Sequence, residues 1–384
     1  MIRNVFVKNL LMGSVFKTIS GINRISRKED KKILLYSDLG FRDNIKYLYD
    51  FLIKEKYNVK YQIVCAVKDF KELKSSAPEN VKFVSPIEGI YHYLTSNHIF
   101  YCFGKLPITP VGKQVVIQMW HGTSFKGFAE NMTKTSAQTE KYYTYVYASS
   151  EYFKPIVMKK FNCSSGKIAL CGHPRTDVFY SKNNQYNLGT YLKTIVWMPT
   201  FRTSKKLGQT DTTQDSVLPT VKDKELNDLD DFLGKKNIQL LVKLHPMQDL
   251  AGIDTSRLQN LKLMSNEQFE QSGMDVYRLL EQSDALITDY SSVFYDYLLL
   301  NRPIGFTEND VAEYQKNRGF AVDPEKFRPG QRIRSLKELE LFIDNVANGK
   351  DDYENDREKI NDISNKFQDG RNCFRSLELS NIYL

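Results

Sequence analysis

Cysteine is scarce in this sequence and unpatterned: Cys65, Cys102, Cys163, Cys171 and Cys373 make five, an odd number, with no CxxC spacing. A disulfide framework has no support, and the thiols read as reduced residues of a cytosolic protein, most of them in strands. Histidine is equally sparse, five in 384 residues. His121, His173 and His245 lie far apart, no HxH or HExxH spacing occurs, and Asp289 with Asp296 forms no recognised carboxylate set. The chain therefore carries no metal-binding motif. Glycine-rich phosphate loops are missing as well. Neither GxGxxG nor GxxxxGK followed by Ser or Thr is present, which leaves a Rossmann dinucleotide site and a P-loop ATPase site without support. Basic residues beyond position 30 are dispersed among acidic ones and no reader motif occurs, so nucleic acid is not an expected partner.

The opening residues lack what a membrane span needs. Their longest uncharged run, Asn9 to Phe16, is far shorter than the roughly 20 residues that cross a bilayer. No apolar core followed by a small-residue cleavage site marks a signal peptide. What residues 1–30 do carry is charge: Arg3, Lys8, Lys17, Arg24, Arg27 and Lys28 against Glu29 and Asp30, half of the chain's net +8. Val5, Phe6, Leu10, Leu11, Val15, Phe16 and Ile19 are interleaved with them. This pattern is expected of an interfacial helix on an anionic membrane surface, and its alternative is a helix docked on the protein's own surface.

With 41% hydrophobic and 12% aromatic residues, the chain has ample surface to bury. Its length predicts two domains of about 150–200 residues. Strands are expected at Lys32 to Ser37, Tyr61 to Val67, Val81 to Val84, His98 to Phe103, Val115 to Met119, Tyr142 to Ala148 and Ile168 to Cys171, with helices between them. A second set follows at Thr194 to Met198, Ile238 to Lys243, Leu261 to Met264, Ala285 to Ile287 and Ile304 to Phe306. The alternation predicts an α/β protein with two doubly wound parallel-sheet domains facing a central cleft. The expected limits are a basic segment over 1–30, domains over 31–185 and 186–345, and C-terminal helices over 346–384. Residues 203–223 read as a mobile surface loop near the cleft.

Polar groups gather where these strands end. His121, followed by Gly122, Thr123, Ser124 and Lys126, projects from the strand ending at Met119, and its ordinary pKa near 6.5 suits proton removal from a hydroxyl. The bland reading is a histidine that only holds its turn. Arg175 is expected to pair with Asp177 or to meet an anion. Thr200 with Arg202, and Lys243 with His245, end two further strands. In Thr288-Asp289-Tyr290-Ser291-Ser292, the first two residues are expected to cap a helix starting near Ser291, whose N-terminus could hold a phosphate; the bland reading is an ordinary cap on a core helix. Together these ends describe a cleft for phosphates, balanced by basic groups, hydroxyls and helix dipoles.

Taken in order, Trp120-His121-Gly122-Thr123, Gly172-His173-Pro174-Arg175-Thr176-Asp177, Pro199-Thr200-Phe201-Arg202, Lys243-Leu244-His245-Pro246, Thr288-Asp289-Tyr290-Ser291-Ser292 with Asp296, and Arg318-Gly319 followed by Pro329-Gly330 resemble the CDP-glycerol glycerophosphotransferases that build bacterial wall teichoic acids and some capsules. The resemblance spans roughly residues 30–345. It implies a metal-independent GT-B-like fold without cofactor, a CDP-polyol in the C-terminal domain, and a polyprenyl-diphosphate-linked saccharide or growing polymer as acceptor at the cytoplasmic face of the membrane. Carried onto this chain, it makes His121 the base and His245 a second catalytic residue that offsets charge on the departing CMP. Arg202, Lys243, His245, Thr288, Asp289, Ser291 and Ser292 become donor-binding residues, with Gly122, Thr123, Lys126, Arg175, Asp177 and Asp296 in support. The expected reaction moves glycerol phosphate from CDP-glycerol to the acceptor and releases CMP. CDP-ribitol or another polyol donor is the alternative, followed by a sugar-transferring GT-B enzyme and by a non-catalytic membrane scaffold.

Overall fold

A computed structural model describes residues 5–103, 106–127, 139–181, 186–200, 203–204, 209–210, 216–245 and 253–384. Two compact units divide the chain. The first takes in Met1–His121, Asn131–Asp177 and Asp369–Leu384, and the second Gly122–Glu130 and Val178–Gln368.

Each unit is built on a parallel sheet, because its strands are near-continuous apolar runs that must be covered on both faces. In the first, β1 (Glu29–Ser37), β2 (Gln62–Val67), β3 (Val81–Val84), β4 (Ser96–Tyr101), β5 (Val115–Gln118), β6 (Tyr145–Ala148) and β7 (Ile168–Leu170) lie in the order β3-β2-β1-β4-β5-β6-β7. Alternate residues of β1 feed opposite cores. Ile33 and Leu35 join one cluster with Ile45, Leu48 and Leu52, while Leu34 and Tyr36 join another with Tyr93 and Val116. The helix Asp43–Lys54 presents Ile45, Leu48 and Leu52, spaced three and four apart, to the first of these cores. Each such fully buried aliphatic contributes roughly 1.5–3 kcal/mol, enough to fix which face of the helix meets the sheet.

The second unit holds β8 (Lys193–Trp197), a short hairpin of β9 (Thr203–Ser204) and β10 (Gln209–Thr210), then β11 (Ile238–Lys243), β12 (Leu261–Met264), β13 (Ala285–Thr288), β14 (Ile304–Thr307) and β15 (Gln331–Ile333). Its six-stranded parallel sheet runs β12-β11-β8-β13-β14-β15. Both sheets are thus doubly wound, each with its order reversing beside its first strand: at β1/β4 in one unit and at β8/β13 in the other. In such sheets ligands bind outside the carboxyl ends of the strands at that reversal.

Several local expectations change. Of the 203–223 stretch, 205–208 and 211–215 lie outside the described residues, and the remainder contains the β9/β10 pair and a bridge between Leu218 and Val221. Of the five free cysteines only Cys65 lies within a strand. Cys102 and Cys171 follow strands, Cys163 is in a loop and Cys373 is helical. Glu354–Ser364 counts with the second unit, while the helix Asn372–Leu379 returns to the first.

The N-terminal helix, Val5–Ile25, docks on the first unit through one face. Phe16 and Ile19 pack against the first unit's core, and Asn23 Nδ2 donates to Thr109 O at 2.9 Å and to Gln114 Oε1 at 2.8 Å. Val15, Ile22 and Ile25 face outward, Ile25 at 85% exposure. Among the described residues no helix is long and apolar enough to cross a membrane.

Candidate active site

In the first unit the site is a turn held under strain. Trp120, just beyond β5, has φ +55°, a left-handed conformation that costs an ordinary residue about 1–3 kcal/mol. Its backbone is caught on both sides by side chains. The N–H donates to Gln118 Oε1 at 3.0 Å, and the carbonyl accepts from Asn44 Nδ2 at 3.1 Å and from the Cys102 thiol at 2.8 Å. Gly122 follows His121 with φ +131°, so the chain turns back at once and the imidazole is left projecting.

The His121 carbonyl accepts from Arg175 Nη1 at 2.9 Å, and the same nitrogen donates to Asp43 Oδ1 at 2.7 Å. Asp43 is itself left-handed, φ +56°, at the start of the helix Asp43–Lys54. Asn44 also accepts from Arg175 N at 3.3 Å and lies 3.4 Å from His173 Nδ1. Loops after β1, β4, β5 and β7 therefore converge on one peptide. Over the His121 ring, Phe103 stacks at 5.4 Å and Trp120 sits at 3.9 Å, with Lys160 Nζ 4.3 Å from the Trp120 ring centroid. Desolvation draws the His121 pKa down to about 4. Asp43 opposes that shift, and Lys160 and Arg175 add to it. His121 is exposed as a residue while its imidazole is desolvated, so at neutral pH the ring is unprotonated and able to accept a proton.

The Arg175–Asp177 pair does not form. Asp177 instead accepts from the N–H groups of Asn372 (2.9 Å) and Cys373 (2.7 Å), capping the helix Asn372–Leu379. Gly172 makes room for this contact, since a Cβ there would come within 2.3 Å of the Asn372 side chain. His173, like Arg175, is buried and serves the turn. Its carbonyl accepts from Thr176 N at 2.9 Å and from Thr176 Oγ1 at 2.8 Å.

In the second unit the polar ends lie around β8, β11 and β13. The expected cap at Thr288-Asp289 is absent. Thr288 Oγ1 donates to Met198 O at 2.9 Å, and the buried Asp289 carboxylate accepts from Thr200 N at 2.9 Å and Thr200 Oγ1 at 3.0 Å. These two residues thus lock β8 to β13 at the reversal of strand order instead of capping. The following helix is a single short piece, Val293–Tyr297, whose N-cap Ser292 makes no capping bond, and Ser291 and Ser292 remain half-buried at the turn. Asp296 is buried and accepts from Tyr277 OH at 2.8 Å.

His245, half-buried two residues past β11, has its pKa lowered to about 4 by desolvation first, then by Lys126 and Lys243, with Asp289 opposing. Lys243 Nζ reaches Asn266 Oδ1 at 3.4 Å and lies 5.2 Å from the Phe269 ring centroid. Gly122, Thr123 and Ser124 are buried in this unit. Arg202 and Pro246 lie outside the described residues. Among the described residues no three His, Cys, Asp or Glu side chains gather to hold a metal ion.

Asp43 and Asn44 were not singled out from the sequence. Their signal was positional: they stand in the first strand-to-helix turn of a doubly wound sheet.

Residues 18–379 match the family model described as CDP-Glycerol:Poly(glycerophosphate) glycerophosphotransferase. The teichoic acid ribitol-phosphate polymerase TarK of Staphylococcus aureus (strain NCTC 8325 / PS 47) is 27% identical over 94% of this chain and 70% of its own length. A teichoic acid poly(glycerol phosphate) polymerase of Bacillus spizizenii (strain ATCC 23059 / NRRL B-14472 / W23) is 25% identical over 89% of this chain and 90% of its own. In fold, the chain is similar to the wall teichoic acid polymerase TagF, with a TM-score of 0.75, 22% identity, and 98% of this chain and 95% of that one covered.

Proposed function

The chain belongs to the family of CDP-glycerol:poly(glycerophosphate) glycerophosphotransferases, and from that premise we propose that it transfers glycerol phosphate from CDP-glycerol to a hydroxyl of a polyprenyl-diphosphate-linked saccharide or a growing teichoic acid or capsule polymer. The observation that carries this reading is the strained Trp120-His121-Gly122 turn, which holds an exposed residue with a neutral imidazole just past the end of a parallel strand.

His121 takes the proton from the acceptor hydroxyl as its oxygen attacks the phosphorus bearing glycerol. The new P–O bond forms while the bond to the bridging oxygen breaks, and CMP leaves with that electron pair. His245, Lys243 and the Ser291-Ser292 turn hold the diphosphate, and Arg202 joins them by its place in the motif. Negative substrate charge raises the affinity of a nearby imidazole for a proton, which offsets a free-enzyme pKa near 4.

The test is incubation of the purified protein with a lipid-linked acceptor and either CDP-glycerol or CDP-ribitol, reading CMP release and product mass. A gain of one glycerol phosphate is expected. A gain of one ribitol phosphate would reassign the donor, a reading favoured by the similarity to TarK. An added hexose, or no product with any CDP-polyol, would refute phosphopolyol transfer.

The place of work is the cytoplasmic face of the bacterial membrane, held peripherally. The outward Val15, Ile22 and Ile25 of the N-terminal helix support this, beside the exposed basic residues Lys17 and Arg24. Sedimentation with anionic liposomes should fall when residues 1–28 are deleted and should weaken with salt. Unchanged binding after the deletion would place the contact elsewhere.

A further inference from the structure

Two motifs are left without a task by this account: Lys126, five residues after His121, and Arg318-Gly319. The second unit joins them. Phe125 is 1% exposed, with ring centroids 5.2 Å from Phe294 and 5.1 Å from Phe320. Its carbonyl accepts from Ala321 N at 2.9 Å, and Gly127 N donates to Gly319 O at 2.8 Å, so Lys126 and Phe320 face each other as an antiparallel bridge. The approach is backbone to backbone. A Cβ on Gly127 would lie 2.8 Å from the Arg318 carbonyl oxygen, and Gly319 takes φ +67° to meet it. Residues 125–127 are therefore pinned at both ends by an isolated antiparallel bridge.

Pinning Phe125 and Gly127 fixes the residue between them. Lys126 Nζ lies 5.9 Å from the Tyr314 ring centroid, and Tyr314 stacks on Tyr290 at 4.0 Å. Tyr290 sits between Asp289 and Ser291, inside the turn that closes β13. An ammonium stationed there acts on the same ground as Lys243 and His245, and it is one of the charges that lower the His245 pKa. Two acids share this neighbourhood: Asp289, buried against Thr200, and Asp310, which accepts from Tyr290 OH at 2.6 Å. Each carboxylate already has a hydroxyl or amide donor, while Lys126 and Lys243 both act on His245, and two ammonium groups near one imidazole suit an anion with more than one negative group, as a nucleoside diphosphate ester has.

We infer that Lys126 is a ligand of the donor diphosphate, delivered to the ends of β11 and β13 by docking of residues 125–127 on Gly319 and Phe320. The assignment rests on the phosphopolyol-transfer reading above. It gives Arg318-Gly319 a task, as the platform for the docked segment. It also gives the lysine a reason to matter in turnover, because charge on the departing CMP grows as the P–O bond breaks.

The experiment is calorimetric titration of CDP-glycerol and of CDP-ribitol into the full-length protein, at low and high salt, for wild type, Lys126→Met, Lys126→Arg and Gly127→Ala, each confirmed folded by circular dichroism. Lys126→Met should weaken binding of the preferred donor about tenfold or more, the usual worth of a charge-assisted contact, and should flatten the salt dependence. Lys126→Arg should recover most of both. Gly127→Ala keeps the lysine but lifts the bridged segment off Gly319, and should shift affinity in the same direction as Lys126→Met. Wild-type affinity and salt dependence in Lys126→Met would overturn the assignment while leaving phosphopolyol transfer intact. A loss of affinity with unchanged salt dependence and no recovery by arginine would overturn it in favour of a packing role. A wild-type protein that binds neither donor would overturn the parent reading and this one with it.

Discussion

His121 lies three residues past β5 in the first unit, and His245 two residues past β11 in the second. Desolvation draws both imidazoles down to about 4, yet their surroundings differ in kind. His121 is aimed by its backbone. A left-handed Trp120, the Asn44 amide and the Arg175–Asp43 pair fix the peptide, and aromatic rings orient the side chain. His245 stands instead in a field of charge, between two lysines and a carboxylate turned toward Thr200. A group that must meet one hydroxyl in the transition state needs its direction preset. A group that holds phosphates needs charge beside it and tolerates a looser frame.

If that contrast is right, the largest separation comes from the alanine variants. His121→Ala should lower single-turnover rate by roughly 10²–10⁴-fold with donor affinity near normal, whereas His245→Ala should weaken donor affinity as well as turnover. Equal effects of both variants on affinity would erase the distinction. Next in size is the frame itself. Arg175→Met leaves Asp43 without its ion pair and frees the His121 carbonyl, and breaking such a buried pair costs about 3–5 kcal/mol, so the variant should denature at markedly lower urea concentration. Its counterpart in the second unit, Thr200→Val, removes one hydroxyl while Thr200 N still donates to Asp289, a loss of about 1 kcal/mol. Urea midpoints that rank the two variants the other way would contradict a preset turn in the first unit and a looser frame in the second.

The smallest effect is shared. All five histidines, His92, His98, His121, His173 and His245, have pKa values lowered in the folded protein, each by desolvation first. The unfolded chain, with values near 6.5, binds protons first as pH falls. The stability these neutral rings contribute is therefore complete above about pH 6.5 and is lost progressively toward pH 4. Melting temperature should be flat from pH 8 to 7 and decline below 6.5. His245→Gln and His121→Gln should each lessen the decline, and to a similar extent, because both values fall to about 4. A decline that begins only below pH 4 would mean the histidines titrate normally.

How far the sequence could be read depended on whether a residue's partners were local. Ile238–Lys243 and Leu261–Met264 were placed to the residue because a buried parallel strand is written as an uninterrupted apolar run between turns. His121 and His245 were legible because each follows such a run with glycine or proline beside it. Arg175 and Asp177 looked like a pair at short spacing, but their partners, Asp43 and the start of Asn372–Leu379, lie 132 and 195 residues away. The Thr288-Asp289 cap misled for the same reason. An Asx residue before a helix usually serves that helix, but here the reversal of strand order brings Thr200 alongside and takes the carboxylate. Asp43 and Asn44 were invisible because their importance lies in a strained peptide 76 residues further on.

That His121 accepts the acceptor's proton is open to a direct trial, because the residue is exposed. Free imidazole can occupy the space left in His121→Ala, so single-turnover transfer by that variant should be restored in a dose-dependent way as imidazole is added. The restored rate should rise with pH up to about 7 as imidazole loses its proton. His245→Ala under the same conditions should not respond. Rescue of His121→Ala is the predicted result; a folded variant that gains nothing from imidazole, or a His245→Ala protein rescued equally, would contradict it.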